Sequence, residues 1–374
     1  MAVTPHARRT YLPDDERRGV ALCLSGGGFR AALFHLGAVR RLYELGVLDE
    51  VRTIAATSGG TMLAAFLAQR CDVWRRRGLR AADWERHISA PFRSIASRNI
   101  NTIPILTGWL PWNWMNNAGL EAMADACEER AVTRQTTATL PIDPQFVFIA
   151  TDLVSGAGFA FGRGNPTARR VALAVAVSSC YPGFFRPFTE SSPERIALVD
   201  GGVHDDRAIE SVWRSHRYLL ISDGGDALRP QWGESILWSL FRSAAVLWNQ
   251  LQVVQKRWLI SSFISRQLDG TYWSIESSPV HYPEALGGPS GYSPALARDV
   301  IAAIRTDYDA FSDAEASVLE NHGYFMADAA ARAHLPALPL RPEPLRVPHP
   351  AWMSEAAVRA ALQGSARKRF LGRF

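Results

Sequence analysis

The chain has 374 residues, 47% of them hydrophobic and 21% charged, with 28 Gly and 22 Pro, which describes a globular protein able to bury a core without covalent staples. Its formal charge is +5. The basic excess gathers only at Arg75, Arg76, Arg77 and Arg80 and at Arg367, Lys368, Arg369 and Arg373, so no nucleic-acid partner is expected. Cys23, Cys71, Cys127 and Cys180 form no C-x-x-C pair and have no His at ligand spacing, which predicts reduced thiols and no metal site. Residues 1–18 are polar, with Asp14, Asp15 and Glu16 where a secretory leader needs apolar residues. No run reaches the roughly 20 apolar residues of a membrane-spanning helix. The expectation is a cytoplasmic protein, touching membranes peripherally if at all.

Val20–Leu24 is a short apolar run that meets Ser25-Gly26-Gly27-Gly28, which predicts a buried strand ending in a glycine turn. From Phe29 to Leu45 apolar residues recur at helical spacing, and Gly46 follows as a C-cap. Val51 to Ala56 predicts a second strand, Thr57-Ser58-Gly59-Gly60 a turn, and Thr61 to Gln69 a second helix. This alternation is a βαβα unit, hence a parallel sheet covered by helices. Residues 72–145 read as a helical, aromatic-rich insertion with Trp84, Trp109, Trp112 and Trp114. The sheet resumes at Phe146–Asp152, with further strands at Gly158–Phe161, Ile196–Val199 and Tyr218–Ser222 and a short helix between Thr167 and Val177. One α/β domain over 19–230 follows.

Ser235 to Ile264 predicts a long amphipathic helix. Its apolar stripe runs through Leu237, Phe241, Ala244, Trp248, Leu251 and Trp258, opposite Ser243, Asn249, Gln250, Gln252, Lys256 and Arg257. Packing of that stripe against the sheet is the ordinary expectation; contact with a lipid surface is the other. Helices are expected at Pro294–Tyr308 and Asp313–Ala333, so that 231–334 continues the domain or forms a lid. Leu335–Pro350 is proline-rich and extended, and a helix from Ala351 to Gly364 precedes a basic tail, giving 335–374 as the last segment.

Ser58 stands between a buried strand and a helix, with Ala56 before it and Gly59 and Gly60 after it. Such a turn needs tiny neighbours, holds its central residue in strained backbone and pushes the hydroxyl into the open, as a nucleophile requires. Gly26, Gly27 and Gly28 end the adjacent strand, so consecutive backbone N–H groups can point at one spot on the same rim, with Arg30 nearby. Asp200 follows Ile196–Val199 and precedes Gly201 and Gly202, which places a carboxylate on that rim as the leading base. His35 and His204 are the histidines nearest these turns in sequence, and His204 reads as a loop residue. A dinucleotide fingerprint also fits Gly26-x-Gly28-x-x-Ala31. Asp49, however, precedes the second strand instead of ending it, and no G-K-[ST] follows the glycines.

Gly26-Gly-Gly-Phe-Arg30, Thr57-Ser58-Gly59-Gly60 and Asp200-Gly201-Gly202 resemble, in order, the three signature motifs of the patatin-like phospholipases, bacterial members included. Ala150–Gly156 and Val177–Pro187 are similar to supporting stretches of that family. The resemblance covers about 19–225 and implies a three-layer α/β/α fold around a mostly parallel sheet, with a helical C-terminal extension. It further implies Ser58 as nucleophile, Asp200 as base, and an oxyanion hole from Gly26, Gly27, Gly28 and Arg30. Ala56, Gly59 and Gly60 would form the elbow, and Gly201 and Gly202 the base loop. The substrate so implied is a phospholipid or lysophospholipid, with no cofactor or metal. Three departures stand out: Ala56 in place of a usual glycine, and Asp206 and Ala208 where Asn and Pro commonly follow the D-G-G turn. A Ser-His-Asp α/β-hydrolase and a catalytically silent lipid-binding or scaffold protein are the competing readings.

Overall fold

The computed structural model describes residues 14, 16–75, 80–113, 116–165, 167–191, 195–225, 228, 230–282 and 291–365. The C-terminal basic group, Arg76, Arg77, Trp114 and most of the polar N-terminal segment lie outside the described residues.

Among the described residues, eight strands form one sheet: β1 (Val20–Leu24), β2 (Val51–Thr57), β3 (Gln145–Asp152), β4 (Ala157–Phe161), β5 (Phe188–Glu190), β6 (Ile196–Asp200), β7 (Tyr218–Asp223) and β8 (Asp269–Ser274). Their order is β5-β6-β3-β2-β1-β7-β8, with β4 also paired to β3. β3, β2, β1, β7 and β8 run parallel, while β4, β6 and β5 add antiparallel pairs at one side. The centre is β1, apolar along its whole length because both its faces are covered. Val20, Leu22 and Leu24 enter the larger core, and Ala21 and Cys23 the smaller one behind the sheet.

The helices of eight residues or more are α1 (Gly28–Glu44), α2 (Gly59–Gln69), α3 (Thr102–Trp109), α4 (Ala118–Glu129), α5 (Val171–Ser178), α6 (Ile236–Ile264) and α7 (Asp313–His334). α1, α2, α5 and α7 contribute to the larger core. α1 and α7 cross at glycines: a Cβ on Gly37 would lie 1.8 Å from Glu320 O, and one on Gly323 1.8 Å from Phe34 O. At these two positions the helices approach backbone to backbone. The smaller core is built by Ala208, Ile209, Val212 and the C-terminal end of α6, through Leu259 and Phe263.

Three expectations are corrected. β5 and β8 were not foreseen, and β8 lies in a region expected to be wholly helical; its Asp269-Gly270 start looks like a turn. Gly270 is there because a Cβ would sit 2.0 Å from Leu219 O of β7. The helix expected over Pro294–Tyr308 ends at Ile301. The chain then turns so that Asp307 O accepts Phe29 N at 3.0 Å, satisfying one of the unpaired N–H groups at the start of α1. Most consequential is α6, whose apolar stripe faces outward. Leu237, Phe241 and Leu247 are 67%, 69% and 71% exposed. Gln252 and Gln255 face the body of the protein because Arg207 and Asp205, buried beneath them, need polar partners.

Candidate active site

β1 and β2 are adjacent and parallel, so the glycine turn after β1 and the Ser58 turn after β2 emerge at one rim. Ser58 has φ 46° and ψ −119°, a region that side chains rarely occupy. The two turns touch: a Cβ on Gly59 would lie 2.2 Å from Gly28 O and 2.6 Å from Gly28 N. Gly60 N donates to Ser25 O at 3.1 Å. Ala56, one of the departures from the family pattern, is fully buried within β2 opposite Leu24 and Phe148.

Asp200 ends β6, and the antiparallel pairing of β6 with β3 brings it to the same rim. Its Oδ1 accepts the Gly202 N–H at 2.8 Å. Burial pushes its carboxyl up to about 7, and the Gly202 N–H and the Ser58 side chain, which favour the carboxylate, restrain that rise. A Cβ on Gly201 would lie 2.2 Å from Ile149 O, so the base loop is pressed onto β3.

Ser58 N is not directed at the open side, because it donates to Ser178 Oγ at 2.8 Å. Ser178 in turn donates to Ile149 O. Gly26 N donates to Asp206 O at 3.0 Å. Among the described residues, no protein acceptor engages the N–H groups of Gly27, Gly28 or Gly59. Gly27 and Gly28 have φ of 124° and 59°. These amides stand at the N-termini of α1 and α2, where helix dipoles favour an anion. Of the expected oxyanion donors, Gly26 N–H is thus already engaged. Arg30 directs its guanidinium to carbonyls, Ala302 O at 2.8 Å, Ile304 O at 2.9 Å and Gly224 O at 2.9 Å. Buried between α1 and these loops, it braces the glycine turn.

Two groups at the site were not read from sequence as members of it. Asp206, the residue that stands in for an Asn, lies against the glycine turn and the base loop. A Cβ on Gly26 would be 2.4 Å from its Oδ1, and one on Gly202 2.8 Å. Burial pushes its carboxyl up to about 8, helped by the negative charge of Asp223 and restrained by Arg207. That rise favours its neutral acid form, which is close in shape and polarity to an amide. Tyr308 arrives from the loop after the shortened 294–301 helix. Its hydroxyl lies 2.6 Å from Ser179 Oγ, its ring packs edge-on at 5.3 Å from Phe29, and it also interacts with the Ser58 side chain. No local pattern marks it, since its partners Phe29 on α1 and Ser179 after α5 are far away in sequence.

The remaining candidates fall elsewhere. His35 is fully buried between Ser222 Oγ (2.7 Å) and Ser25 O (3.1 Å), and burial lowers it to about 4. His204 sits in the single turn after Gly202, its N–H bonded to Gly201 O. Asp49 precedes β2, at the end of that strand away from Ser58, and pairs with Arg341.

A family model described as patatin-like phospholipase matches residues 22–213. A patatin-like phospholipase domain-containing protein of Aspergillus niger is 52% identical over 52 residues, which are 14% of this chain and 6% of that protein. A counterpart in Aspergillus oryzae is 50% identical over 52 residues, 14% of this chain and 7% of its own. The match thus spans a small part of these relatives' length. Among solved structures, human GIVD cytosolic phospholipase A2 in complex with methyl gamma-linolenyl fluorophosphonate is 13% identical, with a TM-score of 0.44 over 94% of this chain and 59% of that one. VipD from Legionella pneumophila is 14% identical, with a TM-score of 0.35 over 84% of this chain and 66% of its own.

Proposed function

Because the chain belongs to the patatin-like phospholipase family, we propose that it is a serine lipid acyl hydrolase, with Ser58 as nucleophile and Asp200 as base, cleaving a carboxylic ester of a phospholipid or lysophospholipid. The observation that carries the reading is a serine in strained backbone beside a carboxyl near neutral pKa and a row of unengaged glycine amides.

As Ser58 Oγ attacks the acyl carbonyl carbon, its proton passes to Asp200 and the carbonyl electron pair moves onto oxygen. The N–H groups of Gly27, Gly28 and Gly59 receive that oxyanion. Collapse breaks the ester C–O bond, and the leaving alkoxide takes the proton from Asp200. Water then attacks the acyl-enzyme by the same route, giving the fatty acid and restoring the Ser58 hydroxyl. A carboxyl at about 7 suits both roles, since it is partly ionised to accept a proton and still acidic enough to return it. Arg30 serves by holding the glycine turn, and neutral Asp206 by adding no charge opposed to the oxyanion.

The test is fatty-acid release from vesicles of mixed phospholipid and lysophospholipid, with products resolved by mass. Release by the wild type that falls by about a thousandfold or more in Ser58→Ala and Asp200→Asn is expected. Full release by either variant overturns the assignment, and covalent labelling of Ser58 by a fluorophosphonate checks the nucleophile directly.

A further inference from the structure

α6 turns the wrong side to the protein for an ordinary surface helix. Over 29 residues, about 43 Å of helix, most of its large apolar side chains are exposed, while Gln252, Gln255 and Lys256 turn toward the body of the protein. Leu240 and Leu247 are 63% and 71% exposed, Phe241 69% and Ile264 79%. An apolar face of this extent on a monomer marks a contact surface.

That face is continuous with the mouth of the site. Trp248 of α6 donates its Nε1–H to Gly202 O of the base loop. Its ring lies 6.0 Å from Tyr181, and Tyr181 lies 6.1 Å from Phe184. Phe184 O accepts the Trp109 Nε1–H at 3.0 Å at the end of α3, beside Trp112, which is 73% exposed, and Ile103 at the start of that helix is 74% exposed. Two apolar arms therefore extend from Asp200–Gly202. α6 carries Arg242, Lys256 and Arg257 and no Asp or Glu, so its charge is of one sign. A second copy seated here would cover the way to Ser58, whereas a lipid surface would deliver substrate to it.

Resting on the hydrolase reading above, we propose that α6 and the tip of α3 form a platform that lies on an anionic phospholipid bilayer. Its apolar side chains enter the boundary between headgroups and acyl chains, and Arg257, exposed on α6, meets the headgroups. α6 lies along that surface, since no helix among the described residues is long and apolar enough to cross a membrane.

The experiment uses the full chain with Ser58→Ala, which leaves the vesicle lipids intact, sedimented with vesicles of phosphatidylcholine and phosphatidylglycerol. Co-sedimentation is expected, weaker on phosphatidylcholine alone. Adding Leu240→Ser, Phe241→Ser and Leu247→Ser together should lower partitioning by about a hundredfold. A chain that stays in the supernatant, or a triple variant that partitions like its parent, overturns the platform. So does a dimer in light scattering that the triple variant abolishes, which would give the face to a second copy. With Ser58 intact, the triple variant should turn over a soluble short-chain ester at the wild-type rate, which also shows that it is folded. Absence of that turnover in the wild type would remove the hydrolase reading while leaving vesicle binding to be judged by sedimentation.

Discussion

The two faces of the sheet are covered by helices of opposite habit. On one face α1 and α7 meet backbone to backbone at Gly37 and Gly323, and nearly every residue of α1 is buried. On the other, only Leu259 and Ser262 of α6 are buried, and beside the apolar contacts of Leu259 and Phe263 the helix meets the body of the protein through polar side chains. Arg207 Nη1 donates to Gln252 Oε1 at 2.6 Å while its Nε donates to Asp223 at 2.7 Å, and Gln255 Nε2 donates to Asp205 at 2.9 Å. An amphipathic stripe therefore shows that a helix has two sides without showing which one faces in. That is decided by what lies beneath, and beneath α6 lie buried charges.

The contrast breaks most sharply at the glycine crossing. Gly323→Ala places a methyl carbon 1.8 Å from a backbone oxygen. The helices must separate, at a loss of about 4 kcal/mol or more. Thermal unfolding should show a drop of ten degrees or more, or no folded protein. Leu240→Ser on α6, a larger chemical change, should leave the midpoint unmoved or slightly raised. Equal losses would mean that α6 is packed as tightly as α7. Next in size is Gln252→Leu. It removes an acceptor from buried Arg207 while adding apolar surface, so a packing account expects a gain and the hydrogen-bond account a loss of about 1–3 kcal/mol. Denaturant midpoints decide between them.

The same contrast explains what was legible in the sequence. The β1–α1–β2–α2 unit could be read because each element is specified locally, by an apolar run, a glycine turn and a helical stripe. The placement of Ser58, Asp200 and the glycines at one rim could be read because each ends a strand, and parallel or paired strands share a rim. Arg30 was assigned from its closeness in sequence to the glycines, but its guanidinium answers to carbonyls at 224, 302 and 304, which no local pattern brings near. Tyr308 and β8 were invisible for the same reason. α6 was seen as a helix and turned the wrong way, because Arg207 and Asp205 lie in a turn that gives no sign of being buried.

Asp206 sharpens the comparison from the side of the charges. Its carboxyl is raised to about 8 and that of Asp200 to about 7, against an ordinary value near 4. The folded chain therefore binds these protons more tightly than the unfolded one. The stability this gives is fully present below about pH 4 and is lost as pH climbs through 7 and 8. Asp206→Asn should accordingly melt several degrees above the wild type at pH 9 and level with it at pH 4. In activity, kcat/KM should rise as Asp200 ionises through about 7, then fall as Asp206 gains charge beside the oxyanion. Asp206→Asn should keep the rising limb and lose the falling one; a falling limb that persists would assign it to another group. The smallest effect belongs to Ala56→Gly, which restores the usual family residue. Ala56 is fully buried in β2 with room for its methyl group, so removing it should cost about 1 kcal/mol of stability and leave turnover within about twofold. A large gain in turnover would show that this methyl group constrains the Ser58 turn.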